Sequence, residues 1–318
     1  MFKRLHIFLG ATVADAASRP LHWVYDEKKL NSYIKNKKNI TFFKENRCPF
    51  YSVKTGEVSG YNAVGQVMFK TLTNTNDKNN IITDFKKNIV KNFGPGSKYW
   101  KNLKLRKKYK KIKWTTAMKG PWIHQNILET IKNIKLKKTI TGGTKVNESD
   151  GYCAALPYSL FSNSEPKLKK IIRTVANGKI SEQFALAKLK IINLADEGNK
   201  DPINSFIRLN SKNIYFKNVI DNIKKVRKLR NKPHNIVVKK FGKACSYPGT
   251  FNGSIHAIIT SKNYKSAVIK TIKAGGCNCS RSNFVGAYFA AKNGLKGIPK
   301  DWIKKTNPSK NILKFLPL

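Results

Sequence analysis

Apolar residues recur along most of this chain at the three- and four-residue spacing of α-helices. One clear example follows Ser181, which we expect to cap a helix whose apolar face covers residues 184–192 and which ends at Gly198. Another covers residues 81–93 and stops at Gly94-Pro95-Gly96. Similar patterns predict helices at residues 5–17, 67–72, 121–136, 150–161, 255–260, 267–273 and 281–293.

Alternation of apolar and polar residues, which is typical of β-strands, is brief everywhere. Residues 235–239 give the best example of it. The chain shows neither the strand–helix–strand rhythm of a parallel sheet nor a phosphate-binding loop. The pattern therefore predicts an all-α protein of about 10–15 helices, folded as a single domain over residues 1–318.

Composition supports a folded protein and adds a strong positive charge. The chain has 318 residues, of which 40% are hydrophobic and 11% aromatic, enough to bury a sizeable core. It has no run of 18 apolar residues, so we expect no membrane-spanning helix. Lys and Arg number 63 against 17 Asp and Glu, which gives a formal net charge of +46. Such a surface attracts nucleic acids and other polyanions, although AT-rich coding bias also favours Lys, Ile and Asn.

The densest basic segment covers residues 98–114 and resembles an insertion. Its cations alternate with aromatic residues, an arrangement that suits phosphate contacts combined with base stacking. The alternative is a solvated helix face or loop. The candidate nucleic-acid contacts in this segment are Lys101, Arg106, Lys107, Lys108 and Lys110.

The five cysteines show no disulfide framework, and a reducing, intracellular compartment is the natural expectation. Cys277 and Cys279 form a C-x-C pair without a second pair at zinc-ligand spacing. Cys277 is also a candidate nucleophile if the start of the last small-residue helix lowers its pKa. The N-terminal residues superficially resemble a secretory signal, but we interpret them as a first core helix.

Three segments together resemble the ADP-ribosylglycohydrolase family, and in particular its branch of J1 crystallins and selenoprotein J. Residues 10–26 resemble the opening helix of the family, with its Gly-Asp-Ala type motif and the proline and aromatic turn that follow. Residues 49–66 resemble the PFY…YGDQ pattern of that branch. Residues 241–305 resemble the family's C-terminal region almost throughout. The resemblance implies an orthogonal all-α bundle and hydrolysis of the glycosidic bond between ADP-ribose and a side chain or small molecule.

The resemblance also implies a pair of magnesium ions, and the residues that would bind them are changed here. The family's Thr-Asp-Asp-Thr motif aligns on residues 62–65, so Asn62, Ala63 and Val64 occupy ligand positions. The Gly-Gly-Asp-x-Asp-Thr motif is replaced by residues 275–280, with Cys277 and Cys279 in place of both aspartates. Magnesium requires oxygen ligands. We therefore expect no bound metal and no other cofactor.

The remaining candidate site residues follow from the same segments. Asp15 is the one carboxylate left near the first motif, and is either a catalytic group or a capping residue. His22 is a candidate for substrate binding. Ser280 and Arg281, at the expected start of the last helix, are candidates for binding a phosphate. Three hypotheses follow: a divergent glycohydrolase, a nucleotide-binding pseudoenzyme, and a non-catalytic scaffold that binds nucleic acid or a large anionic assembly. Oligomeric state is not predicted.

Overall fold

The computed structural model describes residues 3–75, 77, 79–109 and 117–316, and most of these are helical. The described residues contain two two-residue strands, β1 (Tyr51–Ser52) and β2 (Met118–Lys119). The helices are α1 Leu5–Ser18, α2 Glu27–Ile34, α3 Gly60–Asn74, α4 Ile81–Phe93, α5 Lys98–Tyr109, α6 Gln125–Lys135, α7 Asp150–Ser159, α8 Glu165–Val175, α9 Lys179–Asp196, α10 Pro202–Leu209, α11 Lys217–Arg227, α12 His234–Phe241, α13 Gly249–Ile259, α14 Tyr264–Lys273, α15 Asn278–Asn293, α16 Lys300–Lys305 and α17 Ser309–Leu313.

The all-α prediction is confirmed, with more helices than expected because several are short. The brief alternation at residues 235–239 lies in helix α12, as the all-α prediction requires, and consecutive Val237 and Val238 are both buried there. The expected N-cap Ser181 is wrong, since Gly178 caps α9 and Ser181 lies in its first turn. The helix expected to open at Pro121 begins instead at Gln125.

Helices α1 and α15 pack tightly against each other in the centre of the molecule. Every residue of α1 except His6 is buried. A Cβ atom on Gly10 would lie only 2.7 Å from the carbonyl oxygen of Gly286, and closer still to the methyl group of Ala290. Farther along the pair, the Ser18 and Ser282 hydroxyls hydrogen bond at 2.7 Å. The two helices therefore run antiparallel with their backbones in contact.

The other helices surround this pair in layers. On one side α3 packs on α7, and α7 in turn packs on α8 and α9. On the other side α13 and α14 pack against α15. The Tyr264 hydroxyl of α14 donates a 2.6 Å hydrogen bond to the Gly10 carbonyl. Within the described residues, no helix combines the length and the apolar character that crossing a membrane requires.

Strands β1 and β2 pair in parallel and bring two distant segments together. Tyr51 lies opposite Met118, and Ser52 lies opposite Lys119. The chain continues from β2 directly into Trp122 and His124. A Cβ on Gly60, the first residue of α3, would lie 2.8 Å from His124 Nε2. This close approach places the start of α3 against residues 122–124, where the candidate site lies.

Gly10→Ala should destabilise the protein, because the added methyl has no free volume between α1 and α15. We expect the free energy of unfolding to fall by about 1–3 kcal/mol, the usual cost of overpacking a core. Urea denaturation measures it. The control Lys28→Ala, at an exposed position of α2, should change the free energy by less than about 0.5 kcal/mol. Equal stability of the two variants would contradict the close approach of the helices.

Candidate active-site cleft

A cavity of about 350 Å³ opens where the ends of α1, α3, α6 and α7 meet. Its volume lies within the range of roughly 300–1,000 Å³ that is usual for small-molecule sites. The lining combines aromatic rings with a few polar groups, which is also usual for such sites. The lining residues are Trp23, Tyr25, Phe50, Trp122, Ile123, His124, Gln125, Glu148 and Cys245.

Three aromatic rings form one wall of the cleft. Trp23 contacts Trp122 and Phe50 edge to face, with ring centroids 5.5 and 5.6 Å apart. Trp23 has a φ of +62°, an uncommon conformation for a non-glycine residue. Its backbone N–H donates to the Gly276 carbonyl at 2.8 Å, and the Gly276 N–H donates to the Val24 carbonyl at 2.8 Å. The segment before α15 therefore fixes the wall, which offers ring faces and edges to a planar ligand.

Glu148 is the acidic group of the cleft, and it is half-buried. The Tyr61 hydroxyl donates a 2.8 Å hydrogen bond to Glu148 Oε2. Burial and the nearby Asp150 carboxylate raise the pKa of Glu148 to about 7. A carboxyl group with this pKa is partly protonated at neutral pH, so it can act as a proton donor.

His124 and Asp150 form a buried pair beside Glu148. His124 Nδ1 and Asp150 Oδ1 are 2.8 Å apart, and Asn126 donates to the other Asp150 oxygen at 3.0 Å. Burial lowers the pKa of His124, but the charge and the hydrogen bond of Asp150, together with the nearby Glu148 and Cys277, raise it by more, so the net shift is upward. One ligand atom each from His124, Glu148 and Asp150 lie within 4.8 Å of one another, a spacing that also suits a cation. Both Asp150 oxygens accept hydrogen bonds, so His124, Asp150 and Asn126 form one connected buried network beside Glu148.

Asp15 lies outside the cleft lining, in a fully buried position between helices. Its carboxylate accepts 2.6 Å hydrogen bonds from the Ser59 N–H and from the Ser59 hydroxyl. Asn283 of α15 donates a third, also at 2.6 Å. Burial raises the pKa of Asp15. Asp15 of α1 thus accepts the hydrogen bonds of Ser59, the residue before α3, and caps that helix from a neighbouring one.

His22, Ser280 and Arg281 are also fully buried, and none lines the cavity. His22 Nδ1 accepts the Cys279 N–H at 3.2 Å. The Ser280 hydroxyl is 2.9 Å from the Cys277 carbonyl, and Arg281 donates to the Gly275 carbonyl. Helix α15 begins at Asn278, earlier than expected, so Ser280 and Arg281 lie inside its first turn. The structure places them as supports of the loop before α15.

The residues aligned with the magnesium ligands do not fit a hard cation. The Asn62 amide donates to Asn283 at 2.8 Å, and Val64 is fully buried. Ala63 lines a separate cavity of about 680 Å³ between α3 and α17. Cys277 and Cys279 offer sulfur, which prefers softer metals. The neighbour of Cys277 on α3 is Tyr61, whose hydroxyl lies 3.7 Å from the Cys277 Sγ.

The described part of the basic segment, residues 98–109, forms α5 and does not line the cleft. Lys101 is exposed on this helix. Arg106, Lys107 and Lys108 belong to the same helix, but their side chains lie outside the described part of the structure. Lys110 lies outside the described residues altogether.

Sequence reasoning misses the acid–base set. It identifies residues 150–157 only as a buried helix and does not single out His124 or Glu148. A signal is present: Glu148 and Asp150 are two of only 17 acidic residues in a chain with 63 basic ones. The sequence has three such close acid pairs, the others being Asp26-Glu27 and Asp196-Glu197, and nothing in it shows that His124 lies beside this one.

The sequence profile described as ADP-ribosylglycohydrolase matches residues 4–316, nearly the whole chain. The chain belongs to this family. Among its relatives, Crystallin J1A of Tripedalia cystophora is 29% identical over 96% of this chain and 92% of that protein. Crystallin J1B of the same animal is 28% identical, again over 96% of this chain and 92% of that protein. The predicted family and the predicted similarity to its crystallin branch are therefore confirmed.

A solved structure supports the same conclusion for the fold. It is described as an ADP-ribosylglycohydrolase-related protein complex and superposes with a TM-score of 0.60 at 14% identity. The similarity covers 99% of this chain and 95% of that chain. The helical architecture of this chain is thus that of the family.

Behind the cleft, Lys188 of α9 is fully buried among aromatic rings. Its Nζ lies 4.6 Å from the ring centre of Tyr152 and 4.7 Å from that of Tyr247. It donates hydrogen bonds to the Ser149 and Tyr247 hydroxyls at 3.1 and 3.0 Å. Burial lowers the pKa of Lys188 to about 7. The side chain therefore loses its proton far more readily than an ordinary lysine.

Burial of Lys188 should make the free energy of unfolding rise with pH between about 7 and 10.4. In this range the unfolded chain binds a proton that the folded chain does not. The contribution is at most about 1.4 kcal/mol per pH unit. Lys188→Met should flatten this rise in urea denaturation measured at pH 7, 8 and 9. The control Lys190→Met, two residues along α9, should keep the wild-type slope. An unchanged slope in Lys188→Met would show that the amine stays charged when buried.

Proposed function

We propose that this protein hydrolyses the glycosidic bond of an ADP-ribosyl compound by acid catalysis, without the paired magnesium ions of its family. The observation that carries the proposal is Glu148, a carboxyl group with a pKa of about 7 in an aromatic cleft. Family membership supplies the substrate class. The residues at the magnesium positions do not fit that ion, so no step is assigned to it.

The cleft offers a group for each step of hydrolysis. Protonated Glu148 donates its proton to the nitrogen or oxygen that leaves the anomeric carbon, and the glycosidic bond breaks. Water then adds to the anomeric carbon and gives up a proton to Glu148, which the first step has left as a carboxylate, while His124 and Asp150 form the hydrogen-bonded pair beside it. The aromatic wall of Trp23, Phe50 and Trp122 binds a planar ring of the substrate by stacking. The products are ADP-ribose and the protonated leaving group.

Glu148→Gln should reduce the rate by about 10²–10⁴-fold, the usual contribution of a general acid. The assay measures ADP-ribose released from ADP-ribosylated peptides carrying serine or arginine linkages. In the wild type the rate should fall as pH rises above about 7, because Glu148 then loses its proton. A chelator such as EDTA should leave the rate unchanged.

The control for this assay is Glu45→Gln, an exposed acid that does not line the cavity. It should retain wild-type activity. Full activity in Glu148→Gln would refute the acid role. Loss of activity with EDTA and recovery with magnesium would assign the reaction to a cation.

A non-catalytic role is the second candidate, and the similarity to Crystallin J1A and Crystallin J1B favours it. In that role the cleft binds ADP-ribose or a related nucleotide without turnover, and the basic surface binds nucleic acid or another polyanion. Calorimetric titration of ADP-ribose, with and without magnesium, tests the first part. Binding that is indifferent to magnesium and is not followed by hydrolysis would support this role.

Nucleic-acid binding through α5 should depend steeply on salt. Replacing Lys101, Arg106, Lys107, Lys108 and Lys110 with Gln should reduce the slope of log affinity against log salt. On single-stranded RNA the reduction should be about 0.7 for each phosphate that the protein no longer neutralises. A charge-matched control replaces five exposed lysines elsewhere: Lys28, Lys35, Lys37, Lys38 and Lys44. Equal slopes in the two variants would mean that only total charge matters.

A further inference from the structure

The lining of the cleft has the opposite charge to the rest of the protein. The chain carries 63 Lys and Arg residues, yet within its described part none of them lines this cavity, whereas the acid Glu148 does. His124 adds no unbalanced charge, because Asp150 pairs with it at 2.8 Å. The cavity therefore favours a positively charged group, in a protein whose net charge repels cations elsewhere.

The aromatic rings of the cleft face in several directions. The ring planes of Trp23 and Phe50 meet at 86°, those of Trp23 and Trp122 at 80°, and those of Phe50 and Trp122 at 66°. Tyr25, which is 40% exposed, adds a fourth ring to the lining. Because the rings differ in orientation, a compact, round group can contact more than one of them. A cation within about 6 Å of a ring centre is attracted by the ring's negative face.

Glu148 lies close to these rings, and His124 connects the two. The ring centroids of Trp23 and His124 are 6.1 Å apart, and a ligand atom of His124 lies within 4.8 Å of a Glu148 carboxylate oxygen. The Tyr61 hydroxyl donates to Glu148 Oε2. The described residues supply no hydrogen-bond donor to the other oxygen, so one carboxylate oxygen is left to balance a cation that contacts the aromatic wall.

We propose that the cleft binds a trimethylammonium group. Such a group has no N–H and needs no hydrogen-bond acceptor, and its methyl groups pack on aromatic rings while its charge faces their π-electrons. An unmethylated ammonium has three N–H donors to satisfy, and a wall of rings leaves them unpaired. The Trp23 Nε1 donor is itself already used, since it donates to Cys245 Sγ at 3.1 Å. This is a binding function that involves no chemical step.

The test is calorimetric titration of the full chain with choline and with 3,3-dimethyl-1-butanol, in which a neutral carbon replaces the charged nitrogen. EDTA keeps inorganic cations out of the cleft, and pH 8 keeps Glu148, with a pKa of about 7, mostly ionised. Choline should bind at least about tenfold more tightly than the neutral alcohol. Equal binding of the two, or binding of neither, would overturn the proposal. The comparison uses the wild type, so it does not depend on the folding of any variant.

Trimethylammonium groups occur on free small molecules and on methylated lysine side chains, and a second titration distinguishes these sources. It compares a short peptide that carries trimethyllysine with the same peptide carrying unmodified lysine. Tighter binding of the methylated peptide than of choline would support the proposal with a protein side chain as the ligand. Choline binding with no preference between the two peptides would support it with a free small molecule.

Two variants assign the binding to the cleft. Trp122→Leu removes one ring and should weaken choline binding by about 5–30-fold. Its control, Trp100→Leu, changes a half-buried tryptophan that does not line the cavity and should bind as the wild type does. Glu148→Gln should weaken binding about fivefold. The control Glu57→Gln, at another half-buried acid outside this lining, should leave it unchanged.

This inference and the proposed hydrolysis share a cavity but fail separately. A protein that binds choline and releases no ADP-ribose would retain the cation site and lose the hydrolysis. Release of ADP-ribose by a protein that does not distinguish choline from the neutral alcohol would retain the hydrolysis and overturn the cation site. Where both hold, choline should inhibit hydrolysis competitively, because it occupies the aromatic wall.

Discussion

The close packing of α1 against α15 is the constraint on which the rest of the structure depends. Gly10 and Gly286 let the two backbones touch, and the antiparallel direction brings the end of α1 beside the start of α15. The chain leaves α1 towards Trp23 and enters α15 through Gly276 and Cys277. Backbone hydrogen bonds between these two segments then fix the aromatic wall. The cleft is thus positioned by a helix pair whose backbones meet at small residues.

Polar groups at this junction divide into a structural set and a chemical set. Asp15, Ser59 and Asn283 satisfy one another and hold α3 to the central pair, all outside the lining of the cavity. Glu148 and Cys245 face the cavity. Because buried polar groups must be satisfied, the first set tolerates little change, whereas the second can change its chemistry without loosening the fold. This division explains how the architecture of the family can be kept while the groups that face the cavity change.

Much of the fold could be predicted from the sequence, and less of the site. Helical periodicity located α4 to the residue and α1 to within one residue, because both bury a clear set of apolar side chains. Where the pattern was ambiguous or wrong, the cause is local. The brief alternation around Val237 and Val238 belongs to helix α12. Gly178, whose backbone is extended, begins α9 three residues before Ser181. The resemblance to the family identified the family and its crystallin branch. It said nothing of the set formed by His124, Glu148 and Asp150, because only the folded backbone brings these residues together.

The parallel pairing of β1 with β2 has a mechanical consequence. Helix α5 packs directly against β2, and its Asn102 amide donates a 2.9 Å hydrogen bond to the Pro121 carbonyl. Trp122 and His124, which line the cleft, follow Pro121 within three residues. A partner that displaces α5 therefore also displaces the aromatic wall, since hydrogen-bonded elements transmit displacement. Binding at the described part of the basic segment and the shape of the cleft are mechanically coupled through β2.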